Sequence, residues 1–374
     1  MSTVAQIIGH RAPVLGAPHP KLAFNSNIGI ELEIEEVSYL DVPGWTCTED
    51  GSLRNGCELV CSEPYSGEEL YSAIENLSNA VTRSDAQGTW RCSTHVHLDV
   101  RDCDTNTVKK IILGWAFYEK LLFKCSGFHR YRSNFCPAFA VVQAQVINAS
   151  VAFNYEDSTF IDRLVRSWDK YTSLNLLPIT QFGSVEFRVS EPKWKRTNLL
   201  NLVNRYLTIK KLAVENNHLS NQEFINHLQS LGFSPMIDYL PLDYNINEDD
   251  LIEGYELAND VLNLRASDVN VIPRIRLNPA SPETVSQHVI SVDIIPDWSS
   301  YVDHAMRQNT RYRLVFQQIF DVRRHSEVQE MTMDQFRRLI DGWDATYQPD
   351  DSRAIRDVVV RRFNEFYESV VDSL

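Results

Sequence analysis

No run of about 18 apolar residues occurs in this 374-residue chain, so a membrane-spanning helix has no candidate. The N-terminus, MSTVAQIIGHRAPVLGAPHP, lacks a basic segment followed by a long apolar stretch, which speaks against a secretory signal. Positive charge is in deficit: 36 Lys and Arg stand against 50 Asp and Glu, a formal net charge of −14. Nucleic acid is therefore not an expected partner, because general phosphate binding needs a basic surface. CxxC pairs, the common mark of structural zinc, are absent. The seven cysteines (Cys47, Cys57, Cys61, Cys92, Cys103, Cys125 and Cys136) are odd in number in a long chain. That argues for reduced, buried thiols in a cytoplasmic protein rather than a disulfide framework. Also missing are GxxxxGK(S/T), GxGxxG and GxSxG, which removes support for P-loop, dinucleotide-binding and hydrolase-elbow readings.

What is present is alternation. In NIGIELEIEEV, Ile30, Leu32 and Ile34 point one way and Glu31, Glu33 and Glu35 the other, the pattern of a half-buried strand. A turn-rich TEDGSLRNG leads to a second short strand, CELVCS. TWRCSTHVHLDV alternates again, with Val96, Leu98 and Val100 opposite His95, His97 and Asp99. YTSLNLLPITQFGSVEFRV gives two further strands around a turn, and its last strand sets Val185, Phe187 and Val189 against Glu186 and Arg188. Between these lie helices. Ser66 and Glu69 predict a capping box ahead of ELYSAIENLSNAV, and TVKKIILGWAFYEKLLFKC predicts an apolar helix ending at Gly127. After about residue 195 helical spacing dominates, in TNLLNLVNRYLTIKKLAV, in a helix capped by Ser220 and Glu223, in NEDDLIEGYELANDVLNLRA, and in three later segments between 299 and 371.

Four strands thus carry ionisable residues on one face: Glu31 and Glu33, Glu58, His95 and His97, and Glu186 with Arg188. Carboxylates gathered on one face repel unless water screens them or a cation compensates them. Such oxygen donors suit Mg²⁺ or Mn²⁺, with imidazole as an occasional extra ligand, and Mg²⁺ commonly joins carboxylates to substrate phosphates. Each motif alone has a bland reading. ExE is often a solvated strand face, HxH a pair of structural histidines, ExR a cross-strand ion pair, and DGS a turn. Glu35, Asp99 and Glu63 read as structural.

Taken in order, GIELEIE, EDGSLRNGCELVCSEP, STHVHLDV, RYRSNFCP and YTSLNLLPITQFGSVEFRV resemble the motifs of the amidoligases, in the glutamine synthetase and glutamate–cysteine ligase superfamily. The resemblance covers residues 27 to 195. It implies an α+β fold: a curved antiparallel sheet with helices on its apolar face, followed by a mainly helical C-terminal region. The resulting organisation is an irregular arm at 1–26, a catalytic sheet domain at 27–195, and a helical region at 196–374 that serves as lid, oligomer contact or docking surface. The resemblance further implies metal binding by Glu31, Glu33, Glu58, His95 and Glu186. It places Ser52, His97 and Arg188 at the nucleotide, with either His95 or His97 as the histidine ligand. Asp50, Gly51 and Ser52 form the DGS turn near the carboxylate substrate. Arg188 and an arginine of RYRSNFCP, Arg132 in preference to Arg130, face the transferred phosphoryl group.

The implied activity is ATP- and Mg²⁺-dependent joining of a carboxylate to an amine, with Mn²⁺ an alternative ion. The partners are ATP and a substrate pair drawn from amino acids, peptides or proteins; a homo-oligomer is compatible with the sequence. Two other readings compete. A metal-dependent hydrolase using His95 and His97 predicts turnover without ATP, and a degenerate scaffold on the same fold predicts no Mg²⁺–ATP binding.

Overall fold

The computed structural model describes residues 2–264, apart from 128–129, 132–135, 167, 242–243, 245 and the side chain of Gln143. Arg132 and the helical segments after 264 lie outside the described residues. Six antiparallel strands form one sheet: β1 (Ile28–Glu35), β2 (Trp45–Thr48), β3 (Gly56–Cys61), β4 (Thr94–Asp99), β5 (Leu174–Asn175) and β6 (Ser184–Ser190), in the order β2-β3-β1-β4-β6-β5. The fold is α+β, as the alternation implies.

The alternation of β1 decides which face is covered. Ile28, Ile30, Leu32 and Ile34 are all fully buried. Burying such a side chain stabilises by about 1.5–3 kcal/mol. Like charges placed opposite each other on the other face oppose this by at most about 1 kcal/mol per pair. The apolar side therefore wins, and the glutamates follow.

Three helices cover that side: α2 (Gly67–Thr82), α3 (Thr105–Ser126) and α7 (Arg196–Glu215). The Trp45 indole N–H donates to the Ala73 carbonyl of α2 at 3.0 Å. Trp115 of α3 lies 5.1 Å from Phe187 of β6, and Tyr206 of α7 stacks on the same ring at 4.0 Å. The change of character near residue 195 thus marks the passage from strand to helix; α7 lies on the sheet itself. Almost every residue of α3 is buried, because α8 (Asn221–Leu231) and α9 (Asp249–Asn263) cover its far side. Asp104 caps α3 through the Thr107 amide at 2.8 Å, and Gly127 ends it with φ 131°.

Three sequence expectations change in detail. Ser66 is the N-cap of α2, but its hydroxyl accepts the Gly16 amide at 2.8 Å instead of a helix N–H. The N-terminal arm therefore takes the group that local spacing assigned to a capping box. At Ser220 the box does form with Glu223. Between β5 and β6 the turn is one turn of helix, α6 (Pro178–Phe182), started by Pro178 and stopped by Gly183 in the left-handed region. The arm itself holds a short helix, α1 (Val4–Ile8), tied to Cys103 by the Val4 amide. All described residues fall in one compact unit.

Candidate active site

On the face opposite the helices, strand register brings the ionisable residues together. Glu33 stands opposite Glu58, Glu31 opposite His95, His97 opposite Glu186, and Glu186 opposite Asn175. Between the pairs Thr94–Ser190 and Val96–Phe187, β4 contributes one residue, His95, and β6 two, Arg188 and Val189. This local bulge lies at the centre of the cluster, where such irregularities re-aim side chains.

His95 is 5% exposed and is the hub. Its Nδ1 lies 3.1 Å from Glu31 Oε2 and 3.5 Å from Glu186 Oε1, while its Nε2 lies 2.8 Å from Ser93 Oγ. The Ser93 hydroxyl also donates to Glu33 at 2.6 Å. His97 places Nε2 3.2 Å from Glu31 Oε1, and its Nδ1 meets Ser184 Oγ at 3.1 Å. Glu186 accepts from the Asn175 amide at 2.6 Å and pairs with the Arg188 guanidinium. Among the described residues, Arg188 Nε is buried with no hydrogen-bond partner.

Two overlapping groups offer donor atoms within 4.8 Å of one another: Glu31, His95 and Glu186, and Glu33, Glu58 and His95. All five residues named from sequence as metal ligands are in these groups. The histidine in both groups is His95; His97 sits beside them, on Glu31. Each donor set is carboxylate oxygen plus one imidazole with no thiol, which suits Mg²⁺ or Mn²⁺. Charge balance points the same way. Burial pushes Glu58 up to about 7, aided by Glu31, Glu33 and Asp50 and opposed by Arg188. Burial also opposes the Glu31 charge, but hydrogen bonds from His95 and His97 outweigh it and hold the carboxyl well below its usual range. Burial works against the His97 charge as well, yet its bond to Glu31 and the nearby Glu186 raise it. A divalent cation would supply the positive charge that Glu58 lacks.

The loops at the rim sort structural from functional acids. Glu35 accepts from the Arg54 amide at 2.7 Å and the Thr89 hydroxyl at 2.8 Å, so it ties two loops together. Asp99 is held by Arg101. Asp50 faces Glu58 closely enough to raise it, and its Oδ1 accepts the Ser52 amide at 2.7 Å. Ser52 itself is exposed, with its carbonyl bound by Arg91. Arg130 is 8% exposed; it donates to the Cys92 carbonyl at 3.3 Å and the Arg188 carbonyl at 3.5 Å, and its Nε has no partner among the described residues. Sequence reasoning passed over Ser93, Asn175 and Ser184. Ser93 was accessible to it, since it shares the period of His95 and His97.

A family described as "Putative amidoligase enzyme" matches residues 38–209. Over these residues the chain is similar to that family. Glu58, His95, His97, Glu186 and Arg188 lie inside the matched stretch. Glu31 and Glu33 precede it, yet β1 pairs with both β3 and β4 and so belongs to the same sheet. No curated protein matches the chain significantly. No helix among the described residues is long and apolar enough to cross a membrane.

The raised Glu58 makes this site measurable by pH. With a folded value of about 7 against 4.5, Glu58 contributes stability that is full below pH 4.5 and gone above about pH 7. Glu31 has the opposite sign: its contribution is present above 4.5 and is lost as pH falls below that. The metal-free protein should therefore lose melting temperature between pH 5 and 8, and Glu58→Gln should flatten that slope. Equal slopes in EDTA for the wild type and the variant would refute the assignment of Glu58.

Proposed function

We propose that this protein is an ATP- and Mg²⁺-dependent carboxylate–amine ligase working through an acyl phosphate. The observation that carries the reading is the pair of overlapping carboxylate–imidazole groups centred on His95, beside an arginine with a free buried Nε. Glu31, His95 and Glu186 would hold one Mg²⁺, and Glu33 and Glu58 another. When bound, these ions neutralise phosphate charge and orient the nucleotide for in-line transfer.

The chain's own residues position the rest. Arg188, fixed by Glu186, presents its guanidinium to the anionic end of ATP. Ser93 keeps Glu33 and His95 in mutual register. The substrate carboxylate attacks the γ-phosphorus, the bond to ADP breaks, and an acyl phosphate forms. The amine then attacks the acyl carbon, the carbon–oxygen bond to phosphate breaks, and an amide forms as the nitrogen loses a proton. Catalysis rests on positioning and electrostatics, because the transferred group needs no covalent bond to the protein. The acceptor belongs to the amino acids, peptides or protein side chains.

Thermal unfolding tests this. Mg²⁺–ATP at 100 times its Kd should stabilise the protein by about 2.7 kcal/mol, a rise of several degrees. The shift should need both components and vanish in Glu186→Ala. ADP release on addition of carboxylate and amine pairs should follow. A shift with Zn²⁺ or Mn²⁺ alone, and turnover without nucleotide, would replace the ligase with a hydrolase. No response to any of these ligands would favour a non-catalytic scaffold.

A further inference from the structure

Away from the cluster, α3 carries one carboxylate that the reaction above does not use. Glu119 is 1% exposed, and among the described residues no Lys, Arg or His pairs with it. Four neutral donors converge on it. Its Oε1 accepts from the Ser173 hydroxyl at 2.6 Å, the Phe139 amide at 2.8 Å and the Trp115 indole N–H at 3.2 Å; its Oε2 accepts the Ala140 amide at 3.3 Å. Burial pushes Glu119 up to about 7 against these bonds.

What those donors belong to gives the carboxylate its role. The Ser173 carbonyl accepts the Arg188 amide at 2.9 Å, and the Ser173 amide donates to the Pro137 carbonyl at 3.0 Å. Phe139 and Ala140 follow Ala138, whose amide donates to the carbonyl of Tyr131, the neighbour of Arg130, at 3.0 Å. Arg130 in turn reaches the Arg188 carbonyl. One carboxylate therefore joins the backbone that sets Arg188 to the segment that carries Arg130. Both guanidiniums keep a buried Nε without a partner among the described residues. Buried donors of that kind can be satisfied by an anion that enters the site. One carboxyl that accepts four donors at once holds the segments they belong to in a single geometry.

We infer that Glu119 is a positioning residue which, through Ser173 and the Ala138–Ala140 backbone bound to Tyr131, holds Arg188 and Arg130 against the terminal phosphoryl group of the nucleotide. This rests on the ATP-dependent reading proposed above. Its signature is discrimination between nucleotides rather than stability, because only ATP carries the group that the arginines face.

Isothermal titration with Mg²⁺–ATP and Mg²⁺–ADP reads this directly in the full chain. The wild type should prefer ATP over ADP by roughly ten- to hundredfold, the range of a charge-assisted hydrogen bond, and Arg188→Lys should lose most of that preference. Ser173→Ala and Glu119→Gln should each lower the ATP-to-ADP ratio by at least about threefold while ADP affinity stays within about twofold. Ser173→Ala deletes a single hydroxyl, so it decides the matter where Glu119→Gln fails to fold. If both folded variants keep a preference that Arg188→Lys loses, the role of Glu119 is overturned and the ligase reading stands. A wild type that binds Mg²⁺–ADP as tightly as Mg²⁺–ATP overturns the role of Glu119 and leaves the ligase reading standing; a wild type that does not bind Mg²⁺–ATP overturns both.

Discussion

Glu33→Gln should give a folded protein that melts slightly higher than the wild type and has lost its ligase activity. The two effects share one cause. Glu33 is buried and stands directly opposite Glu58, with Glu31 on the same strand face. Removing its charge relieves a like-charge contact on the sheet, which should stabilise the metal-free protein by about 1 kcal/mol. Glutamine still offers an oxygen to the Ser93 hydroxyl, so no buried donor is orphaned. The same charge is a ligand of the proposed Mg²⁺ site. Its loss should lower turnover by at least about 10²-fold, the scale of one electrostatic contact to a transition state. The Mg²⁺-dependent rise in melting temperature should shrink as well. Melting curves in EDTA and in Mg²⁺, beside ADP release, separate the two effects. Full turnover by a stable Glu33→Gln would remove Glu33 from the site.

The second large effect lies far from this chemistry. Gly254 of α9 crosses α3 so closely that a Cβ there would sit 1.9 Å from the Phe117 carbonyl oxygen. Both atoms belong to helix backbone, so the contact is relieved only by moving one helix off the other. Around it Ala258 and Val261 are buried, and Asp250 binds Lys124 at 2.6 Å. Alanine gains about 1 kcal/mol over glycine in helix propensity. Overpacking against a rigid neighbour costs about 1–3 kcal/mol or more. At this separation the clash dominates, and Gly254→Ala should lower the melting temperature by about 5 °C or more. Gly114→Ala is the control. Its Cβ would meet the Ile209 Cγ2 at 3.2 Å, the end of a side chain that can turn aside. Thermal melts of both variants decide the matter, and a Gly254→Ala protein as stable as the wild type would refute the close crossing.

How much of this was legible in the sequence depended on the range of the interaction. Glu31, Glu33, His95, His97, Glu186 and Arg188 were found because period-2 alternation is local and one buried face enforces it. Which histidine joins the carboxylates was not legible, since it depends on His95 standing opposite Glu31 while His97 stands opposite Gly29. Asn175 and Ser184 escaped for the same reason: their roles exist only once β5, β6 and β4 are paired. The capping box at Ser66 failed because Gly16, 50 residues away, takes the hydroxyl. The turn before β6 became a helix because Pro178 opens and Gly183 stops a five-residue segment that fits one helical turn. Glu119 gave no signal, since a glutamate on a helix ordinarily faces water.

One consequence follows from β1. The residues that hold the core, Ile30, Leu32 and Ile34, interleave one by one with Glu31 and Glu33. A shift of the strand by a single position would send the glutamates into the hydrocarbon interior and the aliphatic residues into the site. Such a molecule would lose its stability and its ligands in the same step, so no well-folded, half-competent form lies within reach. Counting the proposed Mg²⁺–ATP sites in a preparation would then amount to counting its correctly registered molecules.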